Sequence, residues 1–308
     1  MAVDSEAARC SADKITSSLT EHVGDIARAC GAAAIFVYAD ALGSRELVLP
    51  EDLRVFYVTR TAGEEREQEE KHRTVLRVPN VPLTRTSQAK MAVFLALSRG
   101  LIKLGDVVVC LAGLPGSGSL DTLIVTQVGR EFEMFAISRA DDQSPPDVRP
   151  EVLERVLEIA SELGSEGREG KPVGAFFIVG DSEHVLPLTK QLILNPFQGY
   201  PETDRNILSD ALEETIKELS TVDGAFIIRG DGVIETCGAY VKVASQDEYD
   251  LPQGLGARHQ AAAAITAVTN AAAVTVSEST GTVSVFRGGR ILVEIEKPRA
   301  LGLAPRTH

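Results

Sequence analysis

Apolar positions in the first half of the chain follow a helical and an extended period in turn. Ile15, Leu19, Val23, Ile26 and Cys30 recur at helical spacing and predict a helix over 15–30. Short apolar runs predict strands at Ala32–Tyr38, Leu53–Thr59, Val75–Pro79, Gly105–Gly113 and Asp121–Val128. The charged run Gly63–Arg73 reads as a solvated helix or loop. Thr86–Leu101 reads as a helix whose Ser/Thr-rich start offers N-caps. Alternation of this kind indicates an α/β sandwich. Asp141–Pro150 is acidic and proline-rich, which suits neither a helix nor a sheet. The reading therefore divides the chain there, into domains at 1–145 and 150–300.

The second half opens on a helix with the stripe Val152, Val156, Ile159 and Leu163, ended by Gly164. Val173–Asp181 reads as a buried strand and Asn195–Pro201 as an ordered turn. Thr203 offers a cap for a helix carrying Leu208, Leu212, Ile216 and Leu219. Val222–Gly232 reads as a strand and turn, followed by a strand over 235–244. The segment 246–256 reads as a loop that feeds an alanine-rich helix. Val274–Glu278 reads as a strand. Two alternating segments around Arg287-Gly288-Gly289-Arg290 read as a β-hairpin.

Composition narrows what such a chain can do. Of 308 residues, 44% are apolar and 24% charged, so it can bury real cores; without Trp, these must be largely aliphatic. The net charge is −13, with 17 basic and 21 acidic residues in the first 150 and 14 and 23 in the rest. That balance argues against binding to nucleic acid or an anionic membrane, which needs a basic face. A small phosphorylated ligand remains compatible if local cations, backbone N–H groups or a metal offset the field. Cys10, Cys30, Cys110 and Cys237 form no CxxC pair, so neither a zinc site nor a disulfide framework is indicated. No signal peptide or membrane span is evident, and the expected location is the cytoplasm.

Three short stretches could carry chemistry. Asp223-Gly224-Ala225 places a carboxylate at a strand start, where Asp is depleted, beside two small residues that leave room for a ligand. Taken alone it is more simply a turn. Gly254-Leu255-Gly256-Ala257-Arg258-His259 precedes a helix, and a helix N-terminus attracts anions. Arg258 adds a bidentate donor and His259 a donor that could be charged; a plain cap is an equal alternative. Ser277-Glu278-Ser279-Thr280-Gly281 offers hydroxyls to phosphate and a carboxylate to a metal, or is a polar turn. The glycine-rich Gly113–Ser119 lacks the Gly-Lys-Ser/Thr ending of a phosphate loop and reads as a hairpin loop. His22, His72, His184 and His308 have no evident partners, and no Ser-His-Asp or Cys-His set emerges.

In their order and spacing the three stretches resemble the diadenylate cyclase family, whose hallmarks are a DGA motif, a GTRHRAA motif and a VSEETG-like strand end. The counterparts are Asp223–Ala225, Gly256–Ala262 and Val276–Gly281, and the likeness reaches upstream through Gly174–Asp181 and Asn195–Phe197. It covers roughly Glu151–Glu294. Three departures stand out: Ala257 replaces the family's Thr, Gln260 its second Arg, and Ser279 the Glu of many relatives; Lys242 or Arg287 could stand in for the lost cation. The first domain, around Gly105–Gly116, is similar in pattern to the C-terminal α/β domain of pyruvate kinases.

The resemblance implies a mixed central sheet flanked by helices in the second domain, and condensation of two ATP into cyclic di-AMP with release of two pyrophosphates. It implies catalytic roles for Asp223, Arg258 and His259, and substrate contacts at Gly224, Ala225, Tyr240, Val241, Gly256, Ser277, Glu278 and Thr280. Asp223 and Glu278 would hold Mg²⁺ or Mn²⁺. The partners implied are ATP, cyclic di-AMP and further copies of the chain, because two sites must face each other in a homodimer or larger homo-oligomer. The alternative is a regulatory module that senses ATP or cyclic di-AMP without catalysis, which Ala257 and Gln260 favour. A nucleotidyltransferase using another acceptor is a third possibility. The first domain is expected to regulate or assemble.

Overall fold

The computed structural model describes residues 2–43, 45, 47, 53–130, 147–243 and 256–298. The first part begins with helix α1 (Ala2–Ala29), which leads into strand β1 (Ala34–Tyr38) and the short helix α2 (Ala39–Leu42). Next come β2 (Val55–Thr59), α3 (Ala62–Glu70), β3 (Val75–Arg77), α4 (Arg85–Ser98), β4 (Val107–Ala112) and β5 (Thr122–Gln127). These strands form a five-stranded sheet in the order β3-β2-β1-β4-β5. All pairs are parallel except β4 with β5, which Gly113–Asp121 joins as a hairpin. The charged run is helical because Thr61 caps α3, its side chain accepting from the Glu64 N–H. Thr84 caps α4 in the same way through Ser87.

The second part starts at α5 (Pro150–Glu166), with Pro150 in the first turn, where a missing N–H costs nothing. It continues with β6 (Ala175–Val179), α6 (Ser182–Val185), β7 (Thr189–Gln191), α7 (Glu213–Leu219), β8 (Ala225–Ile228) and β9 (Ile234–Val241). Then follow α8 (Ala257–Val268), β10 (Ala272–Val276), β11 (Val283–Arg287) and β12 (Arg290–Ile295). A seven-stranded mixed sheet runs β12-β11-β10-β6-β8-β9-β7, in which only β6 and β8 pair in parallel. Alternate side chains divide between its faces. Phe177 and Phe226, stacked at 5.1 Å, join the core that contains the α5 stripe. Phe176, Ile178, Ala225 and Ile227 cluster on the other face with Ala262, Ala263 and Ile265 of α8. The mixed sheet flanked by helices is the core that the sequence leads one to expect for the second part.

The two sheets are joined through α4. The Thr84 N–H donates to the Glu296 carbonyl at 3.2 Å, and the Glu296 N–H to Ser87 Oγ at 2.8 Å. Lys90 reaches the Glu294 carbonyl at 3.2 Å. Arg99 grips Glu154 with two hydrogen bonds, at 2.6 and 2.8 Å.

The structure departs from the sequence reading in several places. The helix expected after Thr203 is mostly absent: 3₁₀ turns occupy Glu202–Arg205 and Asp210–Leu212, and only Glu213–Leu219 is α-helical. Asn206 explains this. Its amide donates to the Asp231 carbonyl, its oxygen accepts the Leu208 N–H, and Ile207 pairs with Gly232, which holds the segment against the β8–β9 turn. Thr203 is no cap and bonds Asp204 instead. α5 passes through Gly164 and ends at Gly167, whose N–H donates to the Leu163 carbonyl. Gly164 serves close packing, since a Cβ there would lie 2.3 Å from the Gly281 carbonyl oxygen. Strand β7 is polar and sits at the sheet edge, so periodicity gave no sign of it. Cys110 and Cys237 are buried free thiols, and burial pushes the Cys110 pKa up to about 12. Most of the proline-rich junction, Gly254 and Leu255, and nearly all of the expected loop over 246–256 lie outside the described residues. Among the described residues, no helix is long and apolar enough to cross a membrane.

Candidate functional site

One cavity of about 790 Å³ opens where β8, β9, the end of β10 and the start of α8 converge. That volume suits a ligand of nucleotide size. Asp223 lies in the bend before β8, not within the strand, which removes the propensity conflict. Its side chain is 91% exposed. Gly224 then turns the chain with φ +108°. Gly256 is the N-cap of α8 and contributes no capping side chain, so the positive end of the helix faces the cavity directly. At the end of β10, Ser277 anchors a turn through its N–H to the Thr282 carbonyl and its own carbonyl to the Gly281 N–H. That turn presents Glu278 to the cavity.

Arg258 sits between the two carboxylates, 3.6 Å from Asp223 and 3.4 Å from Glu278. All three side chains are solvent-accessible, so these ion pairs are weak and readily exchanged for a stronger anion. Among the described lining residues Arg258 is the only Lys or Arg. The positions that depart from the family pattern, Ala257, Gln260 and Ser279, all line the cavity; Lys242 and Arg287 do not.

The cavity brings together Asp223, Gly224, Tyr240, Val241, Gly256, Arg258, His259, Ser277 and Glu278. Two expected residues are not among them. Ala225 is fully buried behind the wall, and the Thr280 hydroxyl turns to Thr282 at 2.8 Å. The surroundings of His259 favour its neutral form. It is 6% exposed with its ring edge-on to Phe286, and burial first, then Arg258, holds its pKa below 6.5. The sequence reading also missed the apolar wall made by Phe176, Leu192, Val243 and Ala264. It assigned no role to Gly174, although a Cβ there would fall 2.4 Å from Arg258 Nη1 and 3.2 Å from the Glu278 Cβ. The only available hint was a glycine opening an otherwise bulky strand.

The combination of a strand-start Asp-Gly, an Arg-His helix start and a Ser-Glu strand end around one cavity matches a known group of proteins. Residues 162–291 match the family described as DisA bacterial checkpoint controller nucleotide-binding. A diadenylate cyclase of Methanocaldococcus jannaschii is 39% identical over 206 residues, 67% of this chain and 64% of its own length. A diadenylate cyclase of Haloferax volcanii is 39% identical over 207 residues, 65% of this chain and 72% of its own. The chain belongs to the diadenylate cyclase family. Its match to the Methanocaldococcus relative spans less than two thirds of that protein. A solved Staphylococcus aureus DacA structure aligns with 46% of this chain and 84% of its own at 24% identity, with a TM-score of 0.32. Residues 16–135 match a separate family described as "Probable sensor domain DacZ_P". The first part of the chain thus matches a family of its own, and the pyruvate kinase likeness finds no support.

The state of His259 has a measurable consequence. Its folded pKa lies below the unfolded value, so the unfolded chain binds the extra proton first. The associated stability is complete above pH 6.5 and is lost as pH falls through the folded pKa. The melting temperature should drop between pH 7.5 and 5.5, and His259→Gln should flatten that slope. An equal slope in both proteins would place the acid sensitivity elsewhere.

Proposed function

We propose that the protein is a metal-dependent diadenylate cyclase that joins two ATP molecules into cyclic di-AMP and releases two pyrophosphates. The observation that carries this reading is the placement of Asp223, Arg258 and Glu278 around one cavity at the uncapped start of α8. In each half-reaction the 3′-oxygen of one ATP attacks the α-phosphorus of the other. The α–β bridging bond breaks, pyrophosphate leaves, and the hydroxyl proton is lost. Such transfers depend on positioning and charge stabilisation more than on covalent help from the protein.

Arg258 leaves its carboxylate partners to hold the triphosphate, assisted by the α8 N-terminus. Ser277 offers a hydroxyl to phosphate. Tyr240 and Val241 contact the base, with Phe176 and Leu192 completing the apolar wall. Asp223 lies beside the attacking hydroxyl, and Gly224 lets the nucleotide approach the backbone. His259, buried against Phe286, holds the first turn of α8 and with it Arg258 in place.

Asp223 and Glu278 fit Mg²⁺ or Mn²⁺ in type, being two accessible carboxylates. No group of three or more His, Cys, Asp or Glu suited to a metal occurs among the described residues, so substrate phosphates would supply the remaining ligands, as is usual for Mg²⁺. When bound, the ion offsets charge on the triphosphate.

One cavity holds one ATP, so cyclisation requires a second copy with its site facing the first. Leu192, Ile193 and Leu194 form an exposed apolar ridge beside the cavity, with Leu194 94% exposed, and suit that contact. The domain division at 145–150 is retained, with a regulatory or assembly role for the first domain.

Ala257 and Gln260 support a second reading, a domain that binds ATP or cyclic di-AMP without making it, because both face the cavity and neither brings a charge. Purified protein with ATP and Mn²⁺ decides between them: cyclic di-AMP and pyrophosphate are expected, and bound but unchanged ATP would establish the second reading. In the same assay Leu194→Glu should bind ATP and lose cyclisation.

Gly174 offers a finer test. In Gly174→Ala the new methyl occupies the space of Arg258 Nη1, and the guanidinium must move by an ångström or more. Turnover should fall by about 10- to 100-fold, the usual cost of misplacing a positioning group. The melting temperature should hardly change, because the obstacle is the end of a flexible side chain. Unchanged turnover would remove Arg258 from phosphate positioning.

A further inference from the structure

We propose that Gln191 is a positioning residue for the nucleotide: its side-chain amide fixes a β-bulge in β9 that sets the cavity wall at Ala239 and Tyr240, a role that rests on reading the cavity as a nucleotide site. β9 does not pair evenly with β8. Ala225 stands opposite Ala239 and Ile227 opposite Thr236, so β8 advances two residues (225 to 227) where β9 advances three (236 to 239). Cys237 and Gly238 thus share one partner on β8, which is a β-bulge. Gly238 adopts φ +66°, a conformation open to glycine without steric cost. The bulge backs the site. A Cβ on Gly224 would lie 2.6 Å from the Gly238 carbonyl carbon, and Gly224, Ala239 and Tyr240 all line the cavity.

Such a bulge needs an external hold. Two glycines packed backbone to backbone leave few side chains to specify register, and glycine-rich strands slip readily. β8 is fixed from its other side, where β6 pairs with Phe226, Ile227 and Ile228. Outside β9 there is only β7, three residues long, at the sheet edge. If the bulge loosens, β9 is therefore the strand that moves, and Ala239 and Tyr240 move with it.

The chain at 191–195 supplies the hold, one tie for each β9 residue from 235 to 238. Asn195 Nδ2 donates to the Glu235 carbonyl at 2.8 Å, and the Leu192 N–H to the Gly238 carbonyl at 2.9 Å. Gln191 secures the two residues between. Its amide oxygen accepts the Thr236 hydroxyl at 2.8 Å, and its amide nitrogen donates to the Cys237 carbonyl. The Thr236 hydroxyl also stands 3.2 Å from that carbonyl, so the three groups close a ring across the bulge. Thr236 and Cys237 are buried, whereas Gln191 itself is exposed. Ile193 covers the bulge as well, since a Cβ on Gly238 would fall 2.7 Å from its Cγ1. Gln191 is not among the described residues lining the nucleotide cavity; it lines a neighbouring groove, and the two share Leu192. Its influence on the nucleotide runs through β9.

The test uses the full-length chain, with Gln191→Met removing both amide bonds at similar side-chain length. Amide hydrogen exchange over residues 236–241 should quicken by about tenfold, while exchange in α8 and β10 stays as in wild type. The melting temperature should stay close to wild type, because Gln191 is exposed. KM for ATP should rise by about tenfold with kcat within about threefold, since Asp223, Arg258 and Glu278 are untouched. A mere loss of folded molecules would do the reverse, lowering apparent kcat at constant KM. Thr236→Val removes one of the two bonds and should raise KM less; added to Gln191→Met it should change KM by no more than about twofold, because the two residues act as one unit. Unchanged exchange over 236–241 in Gln191→Met would overturn the clamp. Faster exchange with an unchanged KM would overturn its role in placing the nucleotide. If the wild-type protein binds ATP without forming cyclic di-AMP, the cyclase reading fails on that result alone, and the ATP dissociation constant replaces KM in deciding the role of Gln191.

Discussion

Asp223→Asn should reduce cyclic di-AMP formation by at least about 100-fold, the lower end of what a carboxylate contributes to proton transfer or charge positioning, and leave the fold intact. The structural part rests on exposure. The Asp223 side chain is 91% exposed, and its one ion pair, 3.6 Å from Arg258, is of a kind that adds little to stability. Asn keeps the shape, so Gly224 and β8 should not move. The chemical part rests on charge, because an amide cannot share a divalent cation with phosphates as a carboxylate does, nor accept the proton of a hydroxyl. The substitution also frees one side of Arg258, so ATP affinity should hold or rise while turnover collapses. Product mass analysis, ATP titration and a melting curve on one preparation check all three. Turnover within threefold of wild type would take Asp223 out of the mechanism, and a large fall in melting temperature would mean that its role is structural.

Two of the departures of this chain from its family pattern acquire meaning from where they fall. Ala257 and Gln260 both line the cavity, so the change is local to the end formed by the start of α8. Arg258 works there between two carboxylates that compete for it. Neutralising those carboxylates, whether by a metal or by protons, strengthens its hold on an anion. The chain should therefore depend on a divalent cation more steeply than a relative with two arginines at this end.

How far the sequence carried depended on whether the forces involved were local. Strands such as Ala34–Tyr38 and Ala175–Val179 were legible because each is a continuous apolar run, buried on both faces of a central strand. The hairpin around Gly288 and Gly289 was legible from its turn residues. The segment after Thr203 was not, because a single side chain, Asn206, ties it to a turn 25 residues later, and that tie outweighs local helix propensity. The site divides in the same way. Asp223, Arg258 and Glu278 could be proposed from the order of their motifs. Gly174 could not, since its importance comes from the space that Arg258 occupies. The burial of His259 against Phe286 was not legible because it is a tertiary property.

Gly224→Ala should be the most damaging single substitution in the site, destabilising the protein by about 2–4 kcal/mol as well as ending turnover. Two independent costs combine at this position. Its φ of +108° lies in a region that L-residues rarely adopt. The added Cβ would also stand 2.6 Å from the Gly238 carbonyl carbon and 2.7 Å from the Ala239 nitrogen, both backbone atoms of the neighbouring strand. A side chain could rotate away from such a clash, but backbone held in the β8–β9 pairing can only shift, and the part of β9 carrying Tyr240 must shift with it. A loss of that size corresponds to a melting temperature lower by on the order of 10 °C. Gly174→Ala provides the internal control, since its obstacle is a side chain and its cost should appear in turnover alone. Melting curves of the two variants should separate clearly, with Gly224→Ala far below wild type and Gly174→Ala close to it. If Gly224→Ala melts like wild type, the two strands are not packed back to back at their glycines, and the close approach of nucleotide to backbone proposed at this point loses its structural basis.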